Sequence, residues 1–305
     1  MVSQSRRTFP EFYKPQSGPV VSFELFPPKT DAAYENLRQI LPELARLKPD
    51  FFTVTYGAMG TTQERTLEIA SFVQKEFGIP TACHLTCVGA SRTQLAATIQ
   101  QIHDAGIHNI VALRGDPPQG QTTFTPPADG LRNANELVAL IRSVEKERRL
   151  GPFGIAVAGY PEKHLEAPSL DADIANLKRK TDAGADIVLS QLFYDNSKYF
   201  DFLDKARRAG VQQPVLPGLL PVLSMKQILR ITSLCGACLP DYLKAELEIT
   251  GDDTEKAEEI GVRQCVSQAR ELLQRGAPGI HFYVLNKASH MTRIMRALFP
   301  ERLGM

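Results

Sequence analysis

A single carboxylate stands inside an otherwise apolar, strand-like run near the start of the chain. The run VVSFELF (20–26) contains Glu24 and is followed at once by Pro27 and Pro28. A buried carboxylate without a partner is costly, so a Glu in such a run is either paired or functional. Because prolines end a strand and force a turn, we expect Glu24 to lie close to the strand's carboxyl end.

Further polar residues stand at or just past the ends of later strand-like runs. They are Thr55, Tyr56, His84, Asp116, Tyr160, Gln191 and Tyr283. Several of them recur about 30 residues apart, which is the length of one βα unit. In a barrel of parallel strands, every carboxyl end opens into one shared mouth, and the active site lies there. The spacing therefore predicts one site built from many strands.

The elements that would position these residues alternate regularly. Runs rich in β-branched and aromatic residues cover 20–26, 51–57, 81–87, 109–115, 154–160, 186–192, 214–220 and 279–286. Amphipathic helical patterns separate them, for example over 33–47, 170–185 and 254–276. Eight strands, each followed by a helix, predict an α/β protein with a single-domain (β/α)8 TIM barrel. A doubly wound open sheet is the rival, but the count of eight and the lack of a second domain argue against it.

A short polar segment precedes the predicted barrel. Residues 1–18 are polar and predict a short N-terminal arm or frayed tail, and residues 19–305 predict the barrel. The two Arg near the start are not followed by an apolar core, so a secretory signal is not expected.

Side-chain alternation adds a prediction of direction. In the first strand, Val21, Phe23 and Leu25 share one face and are expected under the helices, which turns Ser22 and Glu24 inward. The same rule applied to the fourth strand predicts that Ala112, Arg114 and Asp116 all point inward, on either side of Gly115. A glycine at such a place commonly lets a ligand approach the backbone.

Composition excludes several classes of protein. The chain of 305 residues is 43% hydrophobic and 23% charged, typical of a soluble globular protein. Lys and Arg number 35 against 34 Asp and Glu, so no basic field indicates nucleic acid or an anionic membrane as partner. No apolar run reaches the roughly 20 residues that span a bilayer. Five cysteines, an odd count, favour reduced thiols and a cytoplasmic location.

Familiar catalytic and metal-binding motifs are missing from the sequence. Neither a Rossmann glycine pattern nor a P-loop nor the Gly-x-Ser-x-Gly motif of hydrolases occurs. Cys83 and Cys87 flank His84, but four residues of strand span roughly 13 Å and His84 points to the opposite face. Cys235 and Cys238 form a Cys-x-x-Cys without a second ligand pair, which favours a thiol pair over a metal site. We expect no metal.

Cations and one loop leave two alternatives open. Arg114, Arg179 and Lys180 could bind phosphate, although a Lys-Arg-Lys run on a helix is otherwise a solvated face. The loop over 117–130 is rich in Pro, Gly and Thr and follows Asp116. It could cover a cofactor or be an ordinary surface loop.

Taken together, nine motifs in order resemble the bacterial methylenetetrahydrofolate reductases. They are SFELFPPKT, TVTYGAMGTTQERT, HLTC, IVALRGDPP, AGYPEKH, NLKRKTDAGAD, SQLFYDN, LPGLLPV and HFYVLNK. The resemblance runs from about Pro19 to the C-terminus and covers the catalytic barrel alone. It implies non-covalent FAD, reduced by NADH or NADPH, which then passes hydride to 5,10-methylenetetrahydrofolate. The product is 5-methyltetrahydrofolate for methionine synthesis, the kinetics are ping-pong, and a homo-oligomer is expected.

The resemblance also implies roles for particular residues. Glu24 matches the family's catalytic acid, and burial is expected to raise its pKa for that task. Asp116 matches a carboxylate near flavin and folate, where it favours a cationic iminium. Gln191 matches the amide that hydrogen-bonds pterin and nicotinamide by turns.

The remaining matched positions divide between cofactor and substrate. Those matching FAD contacts are Tyr56, Ala58, His84, Arg114, Gly115, Asp116, Ala134, Tyr160, His164, Asp173, Asn176, Arg179 and Lys180. Those matching substrate contacts are Thr55, Asp116, Gln191, Gln227, Tyr283 and Lys287. The Lys-Arg-Lys run thereby gains a role as a partner for the phosphate and ribose of FAD.

Two positions depart from the family pattern, and other functions remain as alternatives. Lys287 stands where some members have Arg, which loses a bidentate fork for the folate glutamate. Ile231 stands where one bacterial branch has a Phe that stacks on nicotinamide. The alternatives are an FAD barrel of the proline dehydrogenase type, a non-catalytic folate- or flavin-binding barrel, and a metal-dependent barrel lyase.

Overall fold

Eight parallel strands pair in sequence order, and β8 pairs with β1 to close the sheet into a barrel. The computed structural model describes residues 6–14, 18–56, 61–116 and 125–304. The strands are β1 (Val20–Leu25), β2 (Phe51–Val54), β3 (Thr81–Thr86), β4 (Asn109–Leu113), β5 (Gly154–Gly159), β6 (Ile187–Leu192), β7 (Val215–Leu219) and β8 (Gly279–Tyr283). All eight predicted strands are present, and the predicted (β/α)8 barrel is confirmed.

Helices surround the barrel and begin with side-chain caps at several places. They are α1 (Asp31–Arg46), α2 (Thr61–Phe77), α3 (Arg92–Asp104), α4 (Ala134–Arg148), α5 (Leu170–Asp182), α6 (Asn196–Arg208), α7 (Met225–Cys235), α8 (Asp241–Ile249), α9 (Thr254–Gln274) and α10 (Ser289–Leu298). Ser91, Ser169 and Ser224 accept backbone N–H groups at the starts of α3, α5 and α7, which satisfies donors that a helix leaves unpaired. None of the described helices has the length and apolar character needed to cross a membrane.

Alternation along the strands divides the core into two layers. Val21, Phe23 and Leu25 of β1 belong to the large apolar cluster between barrel and helices, as predicted. A smaller cluster fills the barrel interior and includes Phe51 and Val111. Most of the buried apolar surface therefore lies outside the barrel wall, and the interior at the mouth is left to polar side chains.

The inward direction predicted for the fourth strand is wrong. Ala112 lies in the cluster that faces the helices, whereas Val111 points into the barrel. The strand ends at Leu113, and Gly115 then adopts φ +89°. Because the regular alternation stops before Arg114, it does not determine where Arg114 and Asp116 point.

Residues near the N-terminus close the opposite end of the barrel. The short 3₁₀ helix Phe9–Phe12 packs its two Phe rings against Phe51, with centroids 5.0 and 5.4 Å away. Asn109 at the start of β4 accepts a hydrogen bond from the Phe9 amide and donates one to the carbonyl of Arg7, each 2.8 Å long. Of the two alternatives for this segment, a short arm or a frayed tail, residues Phe9–Phe12 follow the first, because packing and hydrogen bonds hold them as a plug.

Removal of the plug ring should destabilise the barrel as a whole. Phe9 is fully buried, so Phe9→Ala should lower the free energy of unfolding by about 3–5 kcal/mol through lost burial and the cavity that remains. Urea unfolding followed by circular dichroism measures the change. Pro10→Ala, an exposed neighbour in the same short helix, is the matched control. Equal unfolding midpoints for the two variants would contradict the role given to the plug.

Candidate active site

Glu24 lies at the mouth of the barrel with three side chains directed at one of its oxygens. Its Oε2 accepts hydrogen bonds from Nε2 of His281 (3.1 Å) and from the hydroxyl of Thr53 (3.4 Å). The Nε2 atom of His84 lies 3.4 Å from the same oxygen without the geometry of a hydrogen bond. Glu24 is only 6% exposed, so these contacts replace the water that the carboxylate has lost.

The contact with His281 extends to a second hydroxyl. Since a carboxylate accepts only, Nε2 of His281 is the donor to Glu24, and in the neutral ring Nδ1 then accepts from Ser22 Oγ at 2.8 Å. This gives a buried chain from Ser22 through His281 to Glu24. The pairing of β1 with β8, which sets Ser22 opposite His281, creates it.

These partners also decide the ionisation of Glu24. Burial by itself raises the pKa of the carboxyl group, but the imidazole of His84 and the hydrogen bonds from His281 and Thr53 outweigh it. The pKa of Glu24 is therefore held below its ordinary value, and the expectation of a raised pKa is wrong for this arrangement. Burial in turn lowers the pKa of His84. The acid–base properties belong to the cluster of Glu24, His84 and His281 rather than to one residue.

Sequence reasoning missed three of the residues that surround Glu24. Ser22 was expected to point inward, but no role was attached to it, and Thr53 and His281 were not singled out. A signal for His281 exists, because it stands two residues before Tyr283 and alternation places both on the inner face. Its partner could be found only once β8 was known to lie beside β1.

On the β4 side of the mouth, Arg114 is engaged by an acidic residue that the sequence did not indicate. Its guanidinium makes a bidentate pair with Glu166, with N–O distances of 2.5 and 2.7 Å. The pair raises the pKa of Arg114 and lowers that of Glu166, mainly through these hydrogen bonds. Asp116 follows as an exposed residue. The cation expected to meet phosphate is thus already paired.

The local backbone and packing explain why position 115 is a glycine. With φ at +89° it adopts a backbone conformation that favours glycine. A Cβ there would lie 2.6 Å from a methyl group of Val88 and 3.0 Å from Cβ of Thr86. The close neighbour that requires glycine is therefore the end of β3 and the loop after it.

A second group of predicted residues comes together between β5 and α5. The rings of Tyr160 and His164 meet edge to face at 4.8 Å, and the backbone N–H of His164 donates to Asp173 at 2.7 Å. The ammonium of Lys180 donates to the carbonyl of Ala158 at 2.5 Å and lies 5.8 Å from the Tyr160 ring centroid. Burial lowers the pKa of Lys180 to about 8. Lys180 and Asp173 are both buried, so this group keeps one positive and one negative side chain away from water.

The Lys-Arg-Lys run therefore splits in two. Lys180 is only 8% exposed, so the alternative of a solvated helix face is wrong for it. Asn176 and Arg179 lie on the exposed side of α5, where Arg179 donates to the Asn176 side chain at 2.5 Å. The structure thus brings Lys180 into the buried group between β5 and α5, whereas Asn176 and Arg179 lie outside it.

Other predicted residues lie around the mouth with their own local partners. Gln191 is half-buried, and its Oε1 accepts from the backbone N–H of Leu192 at 2.9 Å. Tyr283 donates its hydroxyl to the carbonyl of Ser190 at 2.9 Å. Tyr56 packs partly against the outer core, where burial raises its pKa to about 12. The carbonyl of Thr55 accepts from Thr66 at 2.8 Å.

The remaining predicted positions lie on other elements. Ala134 is the first residue of α4, Gln227 lies in the first turn of α7, and Lys287 is exposed in the loop after β8. Ile231 packs partly into the apolar cluster that α7 and α8 share. Ala58 and most of the loop over 117–130 (residues 117–124) lie outside the described residues, so their predicted roles stay predictions.

Cysteines take no part in the cluster at the mouth. Cys83 and Cys87 face the outer core, on the opposite side of β3 from His84, as predicted. All five cysteines are free, with Cys235 half-buried and Cys238 exposed. Within the described ranges, no three His, Cys, Asp or Glu side chains are arranged to hold a metal ion.

The family profile and the sequence relatives of the chain agree on one family. A profile of the family described as methylenetetrahydrofolate reductase matches residues 12–299. The chain is 35% identical over 280 residues to 5,10-methylenetetrahydrofolate reductase of Escherichia coli, covering 91% of this chain and 90% of that protein. It is 38% identical over 274 residues to "Methylenetetrahydrofolate reductase (NADH) 1" of Arabidopsis thaliana, covering 87% of this chain and 46% of that protein. The chain thus spans about half the length of this plant relative.

Among solved structures, the barrel is similar to an uncharacterized protein from Clostridium thermocellum that binds two copies of 5-methyl-5,6,7,8-tetrahydrofolic acid. The TM-score is 0.63 at 15% identity, covering 94% of this chain and 96% of that one. At this identity the likeness concerns the fold alone.

The hydrogen bond from His281 should be visible in the titration of Glu24. His281→Phe keeps a ring in place but removes the donor, so the pKa of Glu24 should rise because burial is then opposed by fewer partners. Carbon-13 NMR of the labelled Glu carboxyl group measures the pKa directly. His108→Phe, a half-buried histidine just before β4 at the other end of the barrel, is the control. An unchanged Glu24 pKa in His281→Phe would show that His281 does not stabilise the carboxylate.

Proposed function

The chain belongs to the methylenetetrahydrofolate reductase family, and from this premise we propose that it reduces 5,10-methylenetetrahydrofolate to 5-methyltetrahydrofolate with NADH or NADPH. The proposed biological role is the supply of methyl groups for methionine synthesis. One observation carries the proposal beyond family membership: a buried carboxylate, Glu24, lies at the barrel mouth in a hydrogen-bonded chain with His281 and Ser22. Such a group can hold and deliver a proton at the place where a substrate would enter.

The residues around the mouth fit FAD as the resident cofactor. Among the described side chains, His84 Nε2 and the hydroxyl of Thr86 are buried without hydrogen-bond partners, so β3 offers polar groups to a ligand. The ammonium of Lys180 adds a buried cation suited to a phosphate. We propose that His84, Tyr160, His164, Asp173 and Lys180 hold this cofactor. When bound, FAD would accept hydride from the nicotinamide and give it to the folate.

Arg114 requires a change before it can join this set. Its guanidinium is already bidentate to Glu166, so a phosphate must compete with that carboxylate. Lys180 donates to the carbonyl of Ala158 and forms no ion pair with a described residue, so it needs no such exchange. We therefore assign Lys180 the first contact with the anionic part of the cofactor and Arg114 a contact that forms later.

The proton chemistry follows from the cluster around Glu24. Before hydride can add, the five-membered ring of the folate substrate must open to an iminium, and the departing nitrogen needs a proton. In the proposed reaction the protonated form of Glu24 supplies this proton, and the hydrogen bonds from His281 and Thr53 stabilise the carboxylate that remains. Because these partners hold the pKa of Glu24 below its ordinary value, the proposed reaction requires the carboxyl group to take up a proton when the substrate binds. Asp116 is proposed to favour the cationic iminium, and Gln191 to hydrogen-bond both pterin and nicotinamide.

The two substrates are proposed to use the same face of the site in turn, with ping-pong kinetics. The name of the Arabidopsis relative specifies NADH, which supports testing NADH first. The cytoplasmic location and the homo-oligomeric assembly stay predictions.

A direct test begins with the purified protein. Its absorbance should show bound flavin, NADH or NADPH should bleach that absorbance, and methylenetetrahydrofolate should restore it under anaerobic conditions. A colourless protein that takes up no added FAD would refute the cofactor. A bleached flavin that folate leaves unchanged would refute the proposed substrate.

The substitution Glu24→Gln tests whether Glu24 acts as the acid in the folate step or has only a structural role. We expect NADH to bleach the flavin at a near-normal rate, because no proton from Glu24 is needed in that step. Folate-dependent reoxidation should fall by roughly 100- to 10,000-fold, the usual contribution of a general acid. Stopped-flow absorbance measures both steps, and Glu43→Gln on the exposed side of α1 is the control. Equal loss in the two steps would make Glu24 structural.

A further inference from the structure

Strand β6 carries one more residue than its neighbour β7 at the level of the barrel mouth. Leu189 pairs with Leu216 and Leu192 pairs with Gly218, so Ser190 and Gln191 together stand opposite the single residue Pro217. Such an extra residue is a β-bulge, which commonly re-aims a side chain beside a functional site. The proposed substrate-binding amide, Gln191, is one of the two residues in the bulge.

The sequence of β7 explains why the bulge is there. Pro217 has no N–H to donate to the ladder, and a proline inside a sheet is tolerated chiefly at bulges or edges. Gly218 follows it, and a Cβ at this position would lie 2.2 Å from the carbonyl oxygen of Ser190 and 2.9 Å from the ring of Tyr283. The pair Pro217–Gly218 thus interrupts the ladder and also makes room for the Tyr283 ring.

Two side chains satisfy the backbone groups that the bulge releases. The N–H of Gly218 donates to Ser190 Oγ at 2.8 Å, and the hydroxyl of Tyr283 donates to the carbonyl of Ser190 at 2.9 Å. The same Ser190 hydroxyl donates to the carbonyl of Gln191 at 2.9 Å. Ser190 is fully buried, so an unmade hydrogen bond here would be costly. The bulge is therefore held in one conformation by strands β7 and β8.

The locked backbone restricts what the amide of Gln191 can present. Its Oε1 accepts from the N–H of Leu192, which directs the carboxamide, and no described residue accepts from its two N–H donors, which can therefore serve a ligand. A ligand held by those donors must offer an acceptor, such as a carbonyl oxygen or an aromatic ring nitrogen.

We propose that Ser190 and the Tyr283 hydroxyl are positioning residues that lock the bulge and thereby aim the Gln191 amide as a donor at both substrates. This rests on the proposed function, in which Gln191 serves pterin and nicotinamide alike. Neither Ser190 nor the hydroxyl of Tyr283 needs to touch substrate for this role. Both act through the backbone of Gln191.

The test uses the full chain with its flavin. Ser190→Ala should slow both half-reactions by roughly 10- to 100-fold, since a small misplacement of a substrate-holding group can cost that much. Flavin content should stay normal, and amide hydrogen exchange in peptides covering Val215–Leu219 should become faster because Gly218 loses its acceptor. Thr81→Val, which removes another buried hydroxyl at the far end of the barrel, is the matched control and should leave both half-reactions unchanged.

A double-mutant cycle distinguishes positioning from direct contact. If Ser190 acts through Gln191, Ser190→Ala should have no further effect in a Gln191→Ala background. Tyr283→Phe removes only the hydroxyl and should show the same non-additivity with Gln191→Ala. It replaces Ser190→Ala in the test if that variant does not fold. Additive losses, wild-type rates in Ser190→Ala, or unchanged exchange at Val215–Leu219 would each overturn the inference.

Failure of the inference and failure of the proposed function give different results. A wild-type flavin that folate cannot reoxidise would overturn the function and with it the substrate role of Gln191. Normal wild-type turnover together with an unaffected Ser190→Ala would overturn the positioning role alone.

Discussion

The hydrogen bond between His281 and Glu24 joins the last strand of the chain to the first, and the candidate site depends on it. The two residues are 257 positions apart in the sequence, and the chain between them must fold into the remaining strands before these groups can meet. Buried on the inner wall, the carboxylate exchanges water for two histidines and a threonine hydroxyl. A buried charge is tolerated only with such partners. Glu24 can therefore stay ionised only when the barrel is closed and brings these partners to it.

The two ends of the barrel interior differ in polarity. At the N-terminal end, Phe9 and Phe12 pack against Phe51 and fill the interior with apolar side chains. At the mouth, polar side chains point inward, and some of their atoms have no partner among the described residues. The apolar end contributes stability, which allows the other end to keep polar groups whose burial is costly.

Three irregular features of the backbone lie near the place where chemistry is proposed. The bulge in β6, the Pro217–Gly218 pair in β7 and the positive φ of Gly115 all lie at or near the mouth. Each departs from the regular strand geometry that periodic sequence patterns describe. The departures have identifiable causes: a missing N–H, a ring that needs room, and a loop that passes too close for a Cβ. Asp116 and Gln191 are thus proposed to act where regular alternation stops, whereas Glu24 is proposed to act from a regular strand.

Sequence by itself determined the eight strands, the barrel and the face that carries the polar residues, because the periodicities of strands and helices are local and repeat along the chain. It also determined that Glu24 points inward, since β1 alternates regularly up to its end. Only the tertiary structure decided which groups meet Glu24 and the direction of its pKa shift, that Glu166 pairs with Arg114, and that Lys180 is buried while Arg179 is not. Contacts of this kind join residues far apart in sequence, and they depend on strand register, loop paths and barrel closure. A pattern within one element carries no information about those.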